Sequence, residues 1–116
     1  MVAVISDFYC QQAIPGLVEI NRVMETERVL AFHHTRPAYP VHILVVPKEH
    51  VPSLIDLGDS GPELFAEVMD VVARVAAQVK EEHGAASVTT NVGTYQESRH
   101  LHWHVYHRGE HRDVRL

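Results

Sequence analysis

The chain lacks the features that mark several common classes of protein. Its 116 residues include a single cysteine, Cys10, which excludes an internal disulfide framework. No apolar run approaches the roughly 18 residues that a membrane-spanning helix requires. The first residues have neither the basic start nor the long apolar core of a secretion signal. We therefore expect a cytoplasmic protein that does not act on membranes.

Positive charge is also scarce. Ten Lys and Arg residues stand against fifteen Asp and Glu residues, which gives a formal net charge of −5 with histidine neutral. Such a chain has no basic field to attract a nucleic-acid polymer, so any phosphate that it binds must be held by local groups. Histidine is abundant instead, with ten copies that titrate near neutral pH.

Length and patterning predict one α+β domain that covers residues 1–116. An apolar residue recurs every three or four positions between residues 61 and 83, which predicts one long amphipathic helix. Short β-prone segments precede and follow this helix, at 18–24, 28–32, 41–46, 86–92 and 100–106. Because the connections are brief, we expect an antiparallel sheet of about five strands with the helix on one side.

The densest histidine pattern is "SRHLHWHVYH", residues 98–107. His100, His102 and His104 occupy alternate positions, and alternate side chains of a strand share one face. The apolar residues between them would then share the buried face. Side chains two positions apart are close enough to converge on one ligand, so the spacing alone leaves both a metal site and an acid/base row open.

This stretch and a second one resemble a known family. "HLHWHVY" matches the alternating signature of the histidine triad family of nucleotide hydrolases and transferases, and "FHHTRPAYPVHILVVPKEHV" is similar to another segment of that family. The likeness spans roughly residues 10–106. It implies the histidine triad (HIT) fold, with a short N-terminal helix before the antiparallel sheet, and assembly as a homodimer.

The resemblance implies an enzyme that acts at the α-phosphate of nucleoside 5′-monophosphate conjugates, of the phosphoramidate or dinucleoside polyphosphate type. His102 would be the nucleophile and would form a covalent nucleotidyl-histidine that water then hydrolyses. His104 and His42 would contact the phosphate and carry protons, while His100 would orient His102 or bind zinc. The uridylyltransferase relatives carry glutamine where this chain has His104, which favours hydrolysis. No cofactor is required, and the partner is a nucleotide, with a purine conjugate expected.

Five further residues are nucleotide-binding candidates by the same resemblance. Phe32 matches the region that sandwiches the base, and Asn91 and Gln96 match polar residues that contact ribose or phosphate. His34 replaces an acidic residue that holds the ribose hydroxyls, which puts a preference for ribonucleosides in question. Glu97 replaces a serine, and its carboxylate would repel phosphate or meet a cationic leaving group. The structural alternatives are a core Phe32, a turn Asn91 and a solvated Gln96.

The resemblance also allows a structural zinc. Relatives bind zinc through a Cys-x-x-Cys pair, a histidine after "PK" and the first triad histidine, and the matching residues here are Asp7, Cys10, His50 and His100. Zinc accepts carboxylate oxygen as well as sulfur and nitrogen, so a site with one cysteine is chemically feasible. The alternative is a small buried Cys10 with solvated histidines.

Two other functions stay open. A nucleotide- or metal-binding module that has the fold but little or no turnover would be consistent with His34 and Glu97. A metal-dependent hydrolase with three histidine ligands fits the spacing, but it lacks an obvious general base and leaves the second matched segment unexplained. The sequence therefore favours the covalent-histidine hydrolase.

Overall fold

The amphipathic pattern between residues 61 and 83 forms the helix α1 (Gly61–His83). Its buried side chains recur every three or four residues and pack on the sheet. The helix ends at Gly84, which has a φ of +95° and whose N–H donates to the carbonyl of Lys80 at 2.7 Å. A left-handed glycine at this position satisfies a carbonyl that the last turn of a helix would leave without a partner. The predicted helix is confirmed.

The computed structural model describes residues 19–59 and 61–109 together with residues 14 and 16. The strands are β1 (Arg22–Glu25), β2 (Val29–His33), β3 (Val41–Pro47), β4 (Ser87–Thr90) and β5 (Trp103–His107), with a 3₁₀ turn at Gly93–Tyr95. They form an antiparallel sheet in the order β1-β2-β3-β5-β4. The predicted α+β class is confirmed, whereas the predicted short N-terminal helix lies outside the described residues.

The two faces of the sheet bury different groups of side chains. The face toward α1 carries the main core, which includes Ala31, Ile43, Val45, Leu101 and Val105. The opposite face carries a smaller cluster of Leu30, Phe32, Leu44 and Val46. Leu44 lies opposite Phe32 in one neighbouring strand and opposite His104 in the other. Directly paired residues share a face, so His104 continues this apolar row across the sheet, away from α1.

The start of the last strand differs from the prediction. β5 begins at Trp103, so His100, Leu101 and His102 precede it. The backbone N–H of Leu101 donates to the carbonyl of Val51 at 2.6 Å. The ring of His102 donates to the carbonyl of His100 at 2.7 Å. These contacts replace regular strand pairing, and the prediction of a strand from residue 100 was therefore wrong at its start.

In the part of the chain that the structure describes, no helix combines the length and the apolar character that crossing a bilayer would take.

Candidate active site

Four imidazole rings gather on the face of the sheet that is opposite α1. His34 follows β2, His42 lies in β3, His102 precedes β5 and His104 lies within it. The ring centroids are 4.5 Å apart for His34 and His42, 5.0 Å for His42 and His104, and 5.1 Å for His102 and His104. We call these four residues the imidazole cluster. It joins three of the predicted catalytic histidines to the predicted nucleotide-binding residue His34.

The hydrogen bond of His102 fixes its tautomer. Nδ1 lies 2.7 Å from the carbonyl oxygen of His100. Because a carbonyl only accepts, Nδ1 carries the hydrogen, and Nε2 of the neutral ring carries the lone pair. The resemblance implied that His100 orients His102 or binds zinc, and the contact with the ring of His102 is made by the backbone carbonyl of His100.

A directional chain of hydrogen bonds fixes the tautomers of His42 and His104. The backbone N–H of Ala38 donates to Nδ1 of His42 at 3.1 Å, so the hydrogen of the neutral His42 ring is on Nε2. That Nε2 lies 2.8 Å from Nδ1 of His104 and donates to it. His104 therefore carries its own hydrogen on Nε2. It presents an N–H donor where His102 presents a lone pair.

Burial keeps the cluster neutral at pH 7. Burial lowers the pKa of His42 to about 4, and His34 adds to the effect. Burial also lowers the pKa of His104 to about 4, with further contributions from His102, His42 and His34. The pKa of His102 is lowered as well, mainly by burial, although its hydrogen bond to the backbone of His100 opposes the shift. The cluster thus offers a nucleophile and hydrogen-bond donors without positive charge.

These shifts predict that the fold loses stability in mild acid. Above pH 6.5, the ordinary pKa of histidine, the rings of His42 and His104 are neutral in both the folded and the unfolded chain. Between pH 6.5 and about 4 only the unfolded chain takes up these protons, so the free energy of unfolding falls as the pH falls. Urea unfolding at a series of pH values in this window would measure the slope.

The matched variants for this measurement are His42→Gln and His33→Gln. Removing the imidazole of His42 should flatten the dependence of the unfolding free energy on pH. His33 is exposed at the end of β2 and outside the imidazole cluster, so its variant serves as the comparison for removal of a histidine that the cluster does not contain. Identical slopes for the parent chain and His42→Gln would contradict the assignment.

His100 turns toward the end of β3. Its ring is completely buried, and Nε2 donates to the carbonyl of Pro47 at 2.7 Å. Its ring centroid is 5.4 Å from that of His50. His100 therefore serves the cluster through its backbone carbonyl, while its side chain lies beside a predicted zinc ligand.

Half of the predicted zinc ligand set is described. With the hydrogen of His100 on Nε2, its Nδ1 carries the lone pair, and a backbone acceptor on the other ring nitrogen is how metal-binding histidines are commonly oriented. The ring of His100 is thus oriented as a zinc ligand would be, with His50 beside it, while Asp7 and Cys10 lie outside the described residues. Over 19–59, 61–109 and residues 14 and 16, no group of three His, Cys, Asp or Glu side chains is arranged to hold a metal ion. The zinc stays a prediction.

Three of the predicted nucleotide-binding residues have very different surroundings. Phe32 is completely buried in the apolar cluster next to the imidazoles. Asn91 is half-buried and directly follows β4. The side-chain amide of Gln96 donates to the carbonyls of Pro52, at 2.9 Å, and Ser98, at 3.2 Å. Gln96 therefore ties the loop before His100 to the loop after β3, and a contact with nucleotide stays a prediction for all three.

His34 and Glu97, the two departures from the family pattern, both act on the cluster. The backbone N–H of Arg36 donates to Nδ1 of His34 at 2.9 Å, so the neutral ring carries its hydrogen on Nε2. Burial lowers the pKa of His34, and the carboxylate of Glu97 opposes this. Glu97 also opposes the lowering of the pKa of His102. The negative charge of Glu97 therefore affects the pKa of two rings of the cluster, although Glu97 is exposed in its loop.

The structure adds three residues that the sequence analysis did not single out. Tyr39 and Tyr106 stack with ring centroids 4.1 Å apart, and both meet His42 at steep angles, at 5.2 and 6.1 Å. Thr90 donates from Oγ1 to the carbonyl of His102 at 2.7 Å. These contacts depend on the pairing of β5 with its two neighbours, which no motif in the sequence specifies.

The antiparallel sheet, the single long helix and the imidazole cluster on the opposite face together define a protein of the histidine triad class. The sequence model of that class, the HIT domain, matches residues 18–111. The chain therefore belongs to the HIT domain family. Among its relatives is an uncharacterized HIT-like protein of Helicobacter pylori that is 31% identical over 103 residues, which cover 87% of this chain and 96% of the relative.

Solved structures agree in fold. A HIT family hydrolase from Legionella pneumophila has a TM-score of 0.77 at 27% identity, over 91% of this chain and 95% of the other. A histidine triad protein from Clostridium difficile also has a TM-score of 0.77, at 32% identity, over 94% and 96%. A zinc-bound histidine triad family protein from Mycobacterium smegmatis has a TM-score of 0.76 at 30% identity, over 89% and 75%.

Proposed function

We propose that this protein is a nucleotide hydrolase that acts at the α-phosphate of nucleoside 5′-monophosphate conjugates through a covalent nucleotidyl-histidine. One observation carries the proposal. In the imidazole cluster, His34, His42 and His104 carry their hydrogen on Nε2, whereas His102 carries a lone pair there. A neutral imidazole with an unprotonated nitrogen is the form that attacks phosphorus, and His102 alone in the cluster has it at Nε2.

In the first step, Nε2 of His102 attacks the α-phosphorus. The new P–N bond forms as the bond from phosphorus to the leaving amine or phosphate breaks, and a leaving amine takes a proton from solvent. The ring gains positive charge, which the carbonyl of His100 stabilises through the Nδ1–H bond. In the second step, water attacks phosphorus and releases a proton to solvent, the P–N bond breaks, and the nucleoside monophosphate leaves while His102 recovers its lone pair.

His104 fits the role of a neutral donor to a non-bridging oxygen of the phosphate. With a pKa of about 4, roughly one ring in 10³ is an imidazolium at pH 7. A neutral ring that gave up its only N–H proton would become a strongly basic imidazolate, so the neutral ring is too weak an acid to transfer a proton to the leaving group. The hydrogen bond that His42 donates to Nδ1 of His104 keeps the hydrogen of His104 on Nε2. Donors placed where charge develops stabilise the transition state without the need for a cationic site.

Glu97 fits a substrate whose leaving group is cationic. The negative charge of Glu97 opposes the lowering of the pKa of His34 and His102. The same charge would repel a leaving phosphate that lies beside these rings. A leaving amine that carries positive charge would instead be attracted. This favours phosphoramidates over polyphosphates as substrates.

The homodimer that the resemblance implies stays a prediction.

The direct test is incubation with an adenosine 5′-phosphoramidate and with a dinucleoside polyphosphate, each with and without a chelator. Release of AMP that survives the chelator is the expected result. Turnover that the chelator abolishes would indicate metal-dependent hydrolysis. Binding of AMP without turnover of either conjugate would indicate a nucleotide-binding module.

His34 should give the enzyme a weaker preference for the ribose diol than an acidic residue would. An acidic residue, as in the family pattern, would accept hydrogen bonds from sugar hydroxyls, whereas His34 has its Nδ1 occupied by Arg36 and offers only a donor at Nε2. Replacing His34 with Asp should raise the ratio of kcat/KM for adenosine over 2′-deoxyadenosine 5′-phosphoramidate about 10- to 100-fold, since a hydrogen bond to a charged group contributes about 1.5–3 kcal/mol.

The control for this comparison is His34→Asn, which removes the imidazole without adding charge. It should give a smaller rise in the ratio than His34→Asp. If the parent enzyme already prefers the ribonucleotide strongly and His34→Asp leaves that preference unchanged, the sugar does not contact His34.

A further inference from the structure

Thr90 holds the backbone of the residue that carries the candidate nucleophile. Its Oγ1–H donates to the carbonyl oxygen of His102 at 2.7 Å. Thr90 is the last residue of β4, which is the edge strand next to β5, and its side chain is half-buried. The bond therefore joins the end of β4 to the residue that precedes β5, which are the two ends of the loop between these strands.

The bond lies where the regular pairing of β5 begins. Trp103, the first residue of β5, is opposite Val45 in β3 and opposite Thr90 in β4. From Trp103 onward the backbone of β5 is held from both sides, and His102 is one residue earlier. The hydroxyl of Thr90 adds a hydrogen bond from β4 one residue before the paired part of β5, at the peptide group that follows the Cα of His102.

This placement controls where the ring of His102 points. The ring is fixed to the preceding backbone through the carbonyl of His100, and the peptide that follows is fixed by Thr90. Without the bond from Thr90, the peptide that follows could rotate about the bond from Cα to the carbonyl carbon of His102. A rotation of about 10° moves an atom that lies ~5 Å from the axis by about 0.9 Å. Misplacing a reacting atom by about 1 Å costs on the order of 100-fold in rate.

We infer that Thr90 is a positioning residue for the reaction, an inference that rests on the proposed function. It holds the carbonyl of His102 so that Nε2 meets the α-phosphorus in line with the leaving group, and it does not itself contact the substrate. The loss of its hydroxyl would slow formation of the covalent intermediate and leave the binding of the product AMP nearly unchanged.

Three variants test this. Thr90→Val removes the hydroxyl and keeps the shape, and Thr90→Ser keeps the hydroxyl and removes the methyl group. Val88→Thr makes the reverse exchange two residues earlier in β4, at a partly exposed position that faces the same side of the strand. The single-turnover rate of adduct formation from adenosine 5′-phosphoramidate and the Kd for AMP are measured for each.

Thr90→Val should form the adduct about 10- to 100-fold more slowly, with the Kd for AMP changed less than about 2-fold. Thr90→Ser and Val88→Thr should stay within about 3-fold of the parent rate. An unchanged rate in Thr90→Val would overturn the inference. So would an equal loss in Thr90→Val and Thr90→Ser, which would show that packing matters, or a Kd that rises in step with the loss of rate.

A second measurement needs no turnover. In protein with ¹⁵N-labelled histidine, the Nδ1–H resonance of His102, assigned by its absence in His102→Gln, reports the bond to the carbonyl of His100. Thr90→Val should shift or broaden this resonance, whereas Thr90→Ser and Val88→Thr should not. If the parent chain hydrolyses nothing, the proposed function fails, but an unperturbed resonance in Thr90→Val would still separately overturn the role of Thr90.

Discussion

Replacement of His102 by alanine should lower the rate of AMP release from an adenosine 5′-phosphoramidate by about 10³-fold or more, because it removes the covalent route altogether. The expectation follows from the tautomers. Every other ring of the imidazole cluster has its hydrogen on Nε2, so none of them can take over the attack at that position without breaking a hydrogen bond to the backbone or to a neighbouring ring.

The control for this variant is His33→Ala, which removes an exposed imidazole at the end of β2 and should keep full activity. Both variants should still bind AMP, because the remaining donors of the cluster are unchanged. If His102→Ala retains more than about a tenth of the parent rate while it folds normally, another group performs the attack.

Replacement of His104 by alanine should lower kcat by about 10²- to 10³-fold, the usual cost of removing one donor to a developing oxyanion. The loss should be nearly the same for leaving groups of low and high basicity. The reason is that a neutral donor to a non-bridging oxygen acts on the phosphoryl group, which all substrates share. A residue that protonated the leaving group would matter most for the most basic leaving groups.

A series of adenosine 5′-phosphoramidates with amines of graded basicity measures this directly. The matched variant is His104→Gln, which keeps an N–H donor and should recover part of the lost rate. A loss in His104→Ala that grows steadily with the basicity of the amine would contradict the hydrogen-bonding role and show that His104 transfers a proton.

The architecture could be predicted because its signals are local. The apolar period of α1, the β-prone segments and the alternation around His102 and His104 are each carried by neighbouring residues. The start of β5 was not predicted, because the segment at His100 leaves the sheet to bond with Val51, a residue about fifty positions away. Strand propensity does not report such a contact.

The chemistry of the site needed the structure for the same reason. The resemblance assigned different roles to the four histidines, but the physical difference between them is the partner of each ring nitrogen, which the sequence does not show. The N–H of Ala38 and the carbonyl of His100 give His42 and His102 opposite tautomers. The ring contact between His34 and His42 likewise depends on which strands are neighbours in the sheet. So does the hydrogen bond from Thr90 to the carbonyl of His102. Gln96, predicted to contact nucleotide, donates its side-chain amide to the carbonyls of Pro52 and Ser98 within the protein.

Detection of the covalent intermediate tests the central claim most directly. The protein is mixed with an adenosine 5′-phosphoramidate, quenched with alkali within the first turnover, and measured as intact protein and as peptides by mass spectrometry. We expect one adenylyl group, located on His102 and lost on a longer incubation as AMP appears. AMP release with no adduct at any time within that turnover, or an adduct on a different histidine, would contradict it.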